Sequence, residues 1–207
     1  MLNYNLLEII FRLMAFLFAI SIHEYAHGAM ANHLGDATAK SQGRLSLNPL
    51  AHLDLFGFLT LVLSGFRFGW AKPVPINPGF FKNPKRGMMY TGAAGPVANF
   101  VAAFCFSWTL KLVAISPVAG TQFGNLLYYF IYYNVLLNIG LGIFNLVPLP
   151  PLDGSRILMG LLPDRLAWRL GQLDRYGPLI LIFLIWTGSL VRIISPFYQF
   201  ITRLLLP

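Results

Sequence analysis

The stretch LLEIIFRLMAFLFAISIHEYAHGAMANHL, residues 6–34, decides the fold. Leu6 to Ile22 is an apolar run, and its helical pattern continues to about Leu34 and ends at Gly35. A membrane-spanning helix needs about 20 such residues. The stretch does not read as a signal peptide. No Lys or Arg precedes Arg12, and His23-Glu24-Tyr25-Ala26-His27 stands where a small-residue cleavage site belongs.

The rest of the chain agrees with a membrane reading. Its 207 residues are 57% hydrophobic and 11% charged, with a mean hydropathy of +0.65. Soluble domains carry about 25% charged residues and about 45–50% apolar ones. The deficit in charge excludes a water-soluble globule, and the apolar content excludes a disordered chain. One cysteine, Cys105, excludes a disulfide scaffold. The net charge of +8 does not point to nucleic acid, because the basic residues lie between apolar runs as they do in membrane-flanking loops. Those runs are continuous, whereas an outer-membrane barrel alternates. The expected fold is an all-α polytopic membrane protein. It has about four transmembrane helices, a re-entrant or extended segment and a short cytoplasmic-side helix, in a single domain over residues 1–207.

A short run, Leu53 to Phe66, is punctuated by Gly57 and Gly65 and reads as re-entrant. Residues 67–86 hold Pro73, Pro75, Pro78 and Pro84 and predict an extended loop. Gly87–Ile115 and Asn125–Val147 are full spans, the second running into Pro148, Pro150 and Pro151. Residues 153–175 form a short amphipathic helix and connector, and Gly177 to about Leu204 is the last apolar stretch, with Arg192 and Arg203 snorkelling. Lys40 and Arg44 mark one connector. Arg67, Lys72, Lys82, Lys85 and Arg86 mark the next, and Arg156, Arg165, Arg169 and Arg175 a third; residues 116–123 carry no charge. The positive-inside rule places the three basic connectors in the cytoplasm and the N-terminus outside.

The chemistry lies at the end of the first run. His23 and His27, at i and i+4, share one helix face, so both imidazoles can reach one zinc ion at about 2.0–2.1 Å. Glu24 sits beside them as a general base. Ionisable residues inside a membrane are costly and mark function. A catalytic zinc needs a third protein ligand. Glu8 is too far upstream, His33 lies on another face, and Asp36, Asp164 and Asp174 sit in charged connectors where solvation is expected. Asp153 and the His52/Asp54 pair remain. Asp153 is favoured because Pro148, Pro150 and Pro151 break the helix before it and Gly154 permits a turn after it.

These residues carry a resemblance. His23-Glu24-x-x-His27, Gly95-Pro96-Val97-Ala98-Asn99 and Asn145-Leu-Val-Pro-Leu-Pro-Pro-Leu-Asp153-Gly154 resemble, in that order, the site-2 protease family of intramembrane zinc metalloproteases, peptidase family M50. Residues 43–52, GRLSLNPLAH, and residues 70–78, WAKPVPINP, resemble its compact bacterial and archaeal branch, which lacks PDZ and CBS domains. The resemblance implies zinc ligation by His23, His27 and Asp153, with Glu24 as catalytic acid and base. It implies supporting roles for Asn99 and Asn145. His52 is a weaker candidate for substrate binding and also reads as an ordinary interfacial histidine. The implied protein is a multi-pass protease of a prokaryotic cell membrane. It takes one zinc ion, acts on transmembrane protein substrates and has its active site near the cytoplasmic face. A non-catalytic zinc-binding adaptor and a metal transporter are the alternatives. Gly95 and Pro96 also read as close-packing residues, the aromatic cluster 128–133 as an interfacial belt, and Cys105 as an inert packed residue.

Overall fold

A computed structural model describes residues 6–65 and 69–206. Phe66 and Arg67, the end of the short apolar run and the first basic residue of the next connector, lie outside the described residues. Ten α-helices occur among those described. They are α1 (Leu6–His33), α2 (Thr38–Ser41), α3 (Pro49–His52), α4 (Leu55–Leu63), α5 (Pro84–Ile115), α6 (Gln122–Asn145), α7 (Asp153–Leu161), α8 (Asp164–Gly171), α9 (Gly177–Trp186) and α10 (Ser189–Leu205). Of these, α1, α5 and α6 are each long and apolar enough to cross a membrane.

The three long helices pack on one another along a seam of small residues. On α5 the buried positions Gly87, Thr91, Gly95, Asn99, Ala103 and Ser107 recur every fourth residue, so one narrow stripe faces inward. Lipid tails are as apolar as leucine, so helix association in a bilayer rests on close approach and hydrogen bonds. Below the polar part of the seam, Ala103 meets Val135, Ile139 and Ile143 of α6 in the main apolar cluster. The ends are set by local chemistry. Asn83 caps α5 by accepting from Arg86 N, with Pro84 in the first turn, and Thr121 Oγ1 caps α6 by accepting from Gly124 N at 3.0 Å.

The last apolar stretch is not one helix. α9 and α10 meet at 77°, and Gly188 between them has φ of +71°, a left-handed conformation that stops α9. The expected fourth span is therefore a bent pair. Cys105, expected to be packed, is exposed on the outer face of α5.

The short run is a single short helix with the later chain packed back against it. α4 has nine residues, about 13 Å of helix, less than half the hydrocarbon thickness. A Cβ on Gly57 would lie 2.1 Å from the carbonyl oxygen of Trp70, so the returning chain lies directly against α4. The neck closes where Lys72 N donates to His52 O at 2.9 Å. Residues 69–77 then run extended, as the prolines require.

Asp36 departs from expectation. It is fully buried rather than solvated. Its Oδ1 accepts from the backbone N–H and the hydroxyl of Thr38, and its Oδ2 accepts from Asn77 N at 2.6 Å. It thereby ties the extended segment to the end of α1, and Arg44 assists by donating to Lys72 O and Pro73 O. Burial pushes the Asp36 carboxyl up, but the donors from Thr38 and Asn77 outweigh it and hold the group below its ordinary value. A carboxylate depressed in this way stabilises the fold above its unfolded pKa of about 3.9, and that contribution fades as pH falls through the folded value. Asp36→Ala is expected to cost about 1–3 kcal/mol at pH 7. Thermal unfolding of both proteins in detergent should show the difference shrinking below about pH 4.

Candidate metal centre

His23 and His27 are both buried on the inward face of α1. α5 lies close against their rings. A Cβ on Gly95 would fall 2.5 Å from His27 Nε2 and 2.7 Å from His23 Cε1, so only glycine lets the two helices approach this far. Each imidazole is then fixed from behind. His23 Nδ1 donates to Asn99 Oδ1 at 2.6 Å, and His27 Nδ1 donates to the carbonyl of Thr91 at 2.7 Å. Both partners are acceptors, so both Nδ1 atoms carry the proton and both Nε2 lone pairs point into the site.

Asp153 comes from the other end of the chain. α6 stops at Asn145, the proline-rich turn follows, and Asp153 stands in the first turn of α7. Gly154 permits that turn, because a Cβ there would strike Leu146 O at 2.2 Å. Asp153 Oδ2 lies 3.0 Å from His23 Nε2 and 3.1 Å from His27 Nε2, and the two Nε2 atoms are 2.9 Å apart. Asp153 Oδ2 is buried with no hydrogen-bond donor aimed at it. Two lone pairs and an orphaned carboxylate oxygen facing one another are a donor set for a cation, and two His with one carboxylate suit zinc. These three residues form a group that can hold a metal ion.

They line a cavity of about 170 Å³ together with Glu24, Asn145 and Arg156. Glu24 Oε2 accepts from Val74 N at 2.8 Å, so the extended segment borders the site directly. Asn145 lines the cavity with its amide donating to Leu141 O. His52 does not join them. It is buried at the neck of the re-entrant segment, with Nε2 donating to Ser46 O at 2.6 Å, and Asp54 caps α4. Glu8, set aside as a ligand, pairs with Arg12 and accepts from Tyr133 Oη.

Sequence reasoning missed Thr91, Val74, Asn138 and Arg156. Thr91 and Val74 act through backbone atoms, which no residue type announces. Asn138 was within reach. It is an amide in an apolar span, four residues after Asn134 on the same face of α6. It is fully buried, its Oδ1 accepts from Asn99 Nδ2 at 2.8 Å, and its own amide donates to Asn134 O. Asn99 Nδ2 also donates to Ala19 O, so the oxygen of Asn99 is left facing His23.

Comparison with known proteins bears on this constellation. The chain is 41% identical to "Putative zinc metalloprotease YwhC" of Bacillus subtilis (strain 168) over 176 residues, covering 84% of this chain and 80% of that protein. The chain belongs to peptidase family M50. The family model described as Peptidase family M50 matches residues 111–173. Methanocaldococcus jannaschii has a relative named in the same terms, MJ0611, 28% identical over 75% of this chain and 73% of that protein. Zinc metalloprotease MJ0392 of the same organism is 33% identical over 42% of this chain and 23% of its own length. No solved structure matches the chain. As an M50 zinc metalloprotease it is an integral membrane enzyme with three long apolar helices and the bent pair.

Two substitutions test how the rings are held. Asn99→Leu removes the acceptor behind His23 and is expected to weaken zinc binding about 10–100-fold, measured by chelator competition. Gly95→Val drives a branched side chain into both imidazoles. Zinc stoichiometry of the purified M50 variant should fall well below that of the wild type.

Proposed function

We propose that this M50 member is a zinc-dependent intramembrane endopeptidase. It hydrolyses peptide bonds in or near transmembrane segments of membrane-protein substrates, with its active site toward the cytoplasmic side of a prokaryotic cell membrane. Residues 1–207 act as a single protease domain. The observation that carries this reading is the convergence of His23, His27 and Asp153 on one point between helices that are themselves apolar enough to span a bilayer. His23 lies about 15 Å along α1 from His33, the end that meets the basic connectors. By charge bias that end faces the cytoplasm.

His23, His27 and Asp153 would hold the ion, and zinc bound there would supply Lewis acidity toward water and the scissile carbonyl. Glu24 removes a proton from the attacking water and returns it to the leaving amine. Its link to Val74 N keeps the carboxylate turned into the cavity. Asn99 fixes the His23 ring, and Asn145, on the cavity wall, is placed to donate to a substrate carbonyl. His23 and His27 are buried, which strengthens the interactions their rings make.

A substrate helix hides its carbonyls in its own hydrogen bonds and must unwind before attack. Residues 69–77 run extended beside the cavity and offer backbone to an unwound strand, and the proline-rich turn 146–152 borders the same cavity. Helix-breaking residues near the cut are therefore expected to raise turnover. Equal rates on rigid Leu-rich substrates would show that unwinding does not limit the reaction.

The deciding experiment uses purified protein in detergent, a panel of single-span substrates and a parallel zinc assay. Glu24→Gln should keep about one zinc and lose about 10²–10⁴-fold in kcat. A variant that loses zinc, or that cuts at the wild-type rate, would remove Glu24 from its role.

A further inference from the structure

Arg156 lines the metal-site cavity and has no described partner. It lies one turn after Asp153 on α7, and no carboxylate, carbonyl or ring among the described residues engages it. Its stem crosses α5 where a side chain is missing. Arg156 Cβ and Cδ lie 3.1 and 3.8 Å from the point where a Cβ on Gly92 would stand. Arg156 is itself exposed, so its stem is seated on α5 while its head stays open to a ligand.

A second cavity, of about 360 Å³, adjoins the first. Both are lined by Met88 and Arg156, and the outer one also by Lys85, Met159 and Pro84. Lys85 is occupied, since its Nζ donates to Asp164 Oδ1 and to Leu162 O, each at 2.6 Å. Arg156 is therefore the cation left open where the two cavities meet. The charge balance points the same way. A divalent ion held at the site would offset the carboxylates of Glu24 and Asp153 and leave the guanidinium in excess. A planar guanidinium selects a carboxylate over a neutral amide through paired, charge-assisted hydrogen bonds.

We infer that Arg156 is a specificity residue that binds a carboxylate of the substrate or product at the junction of the two cavities. This rests on the protease reading above. The carboxylate has two sources. One is an acidic side chain within a few residues of the scissile bond, and the other is the new C-terminus released by the cut.

The test takes single-span substrates that differ only in Glu, Gln or Lys at each position within four residues of the cut. They are assayed with wild type, Arg156→Gln, Arg156→Lys and Arg156→Glu, with zinc content measured for each to show that the site is intact. Product peptides ending in a free carboxylate or an amide are bound at equilibrium in parallel. An acidic side chain is the ligand if wild type prefers Glu over Gln by about 5–10-fold in kcat/KM, Arg156→Gln loses the preference and Arg156→Glu shifts it to Lys. The released terminus is the ligand if substrates show no bias but the free acid binds wild type about 5–10-fold tighter than the amide, and Arg156→Gln binds both alike. If wild type shows neither preference, or if Arg156→Gln lowers kcat equally on every substrate, the assignment is overturned while cleavage still upholds the protease. If zinc-loaded wild type cuts no substrate, the protease reading falls and this inference falls with it.

Discussion

Two imidazole nitrogens and a carboxylate oxygen face one another at 2.9–3.1 Å inside a bundle of apolar helices. Without a cation between them the arrangement is costly, because buried lone pairs and a buried charge lack partners. Much of the surrounding structure holds them there. Glycine at position 95 brings α5 against both rings, and the acceptors behind the rings decide which nitrogen keeps its proton. The amides of Asn99 and Asn138 link α5 to α6 in one direction, each donating onward through its nitrogen. In lipid, such hydrogen bonds also join helices that the hydrophobic effect does not drive together.

The extended segment 69–77 plays a second part. Pro73 and Pro75 have no N–H, so Val74 provides the backbone donor between them, and it is spent on Glu24. The same segment is tied to Asp36 through Asn77 and to Arg44 through two carbonyls. The aim of the proposed base and the anchorage of the loop are thus one network, reaching from the end of α1 to the cavity.

Much of this was legible in the sequence, for identifiable reasons. Apolar runs of membrane length gave α1, α5 and α6, and an i, i+4 histidine pair in such a run has few other uses. Alternating prolines gave the extended segment. The short run with Gly57 gave α4, a helix too short to span, with Trp70 packed against that glycine. What escaped depended on contacts made by the folded chain. Asp36 looked like a solvated loop acid, yet its donors come partly from Asn77, far away in sequence. The break at Gly188 was hidden inside a uniformly apolar stretch. Thr91 and Val74 contribute only main-chain atoms. Arg156 looked like one more membrane-flanking cation until the fold set it over Gly92.

The metal donors also have a consequence for the order in which the molecule is made. Two of them stand on the first helix and the third begins α7, more than a hundred residues later, after both intervening long helices. With that ligand set, a chain emerging from the ribosome holds a histidine pair but no complete site until most of its length is in the bilayer. An ion held there would be a late clasp that closes a very long loop, and loop closure costs little more for a long loop than for a medium one. A site built from those residues is incomplete in any chain that stops before α7.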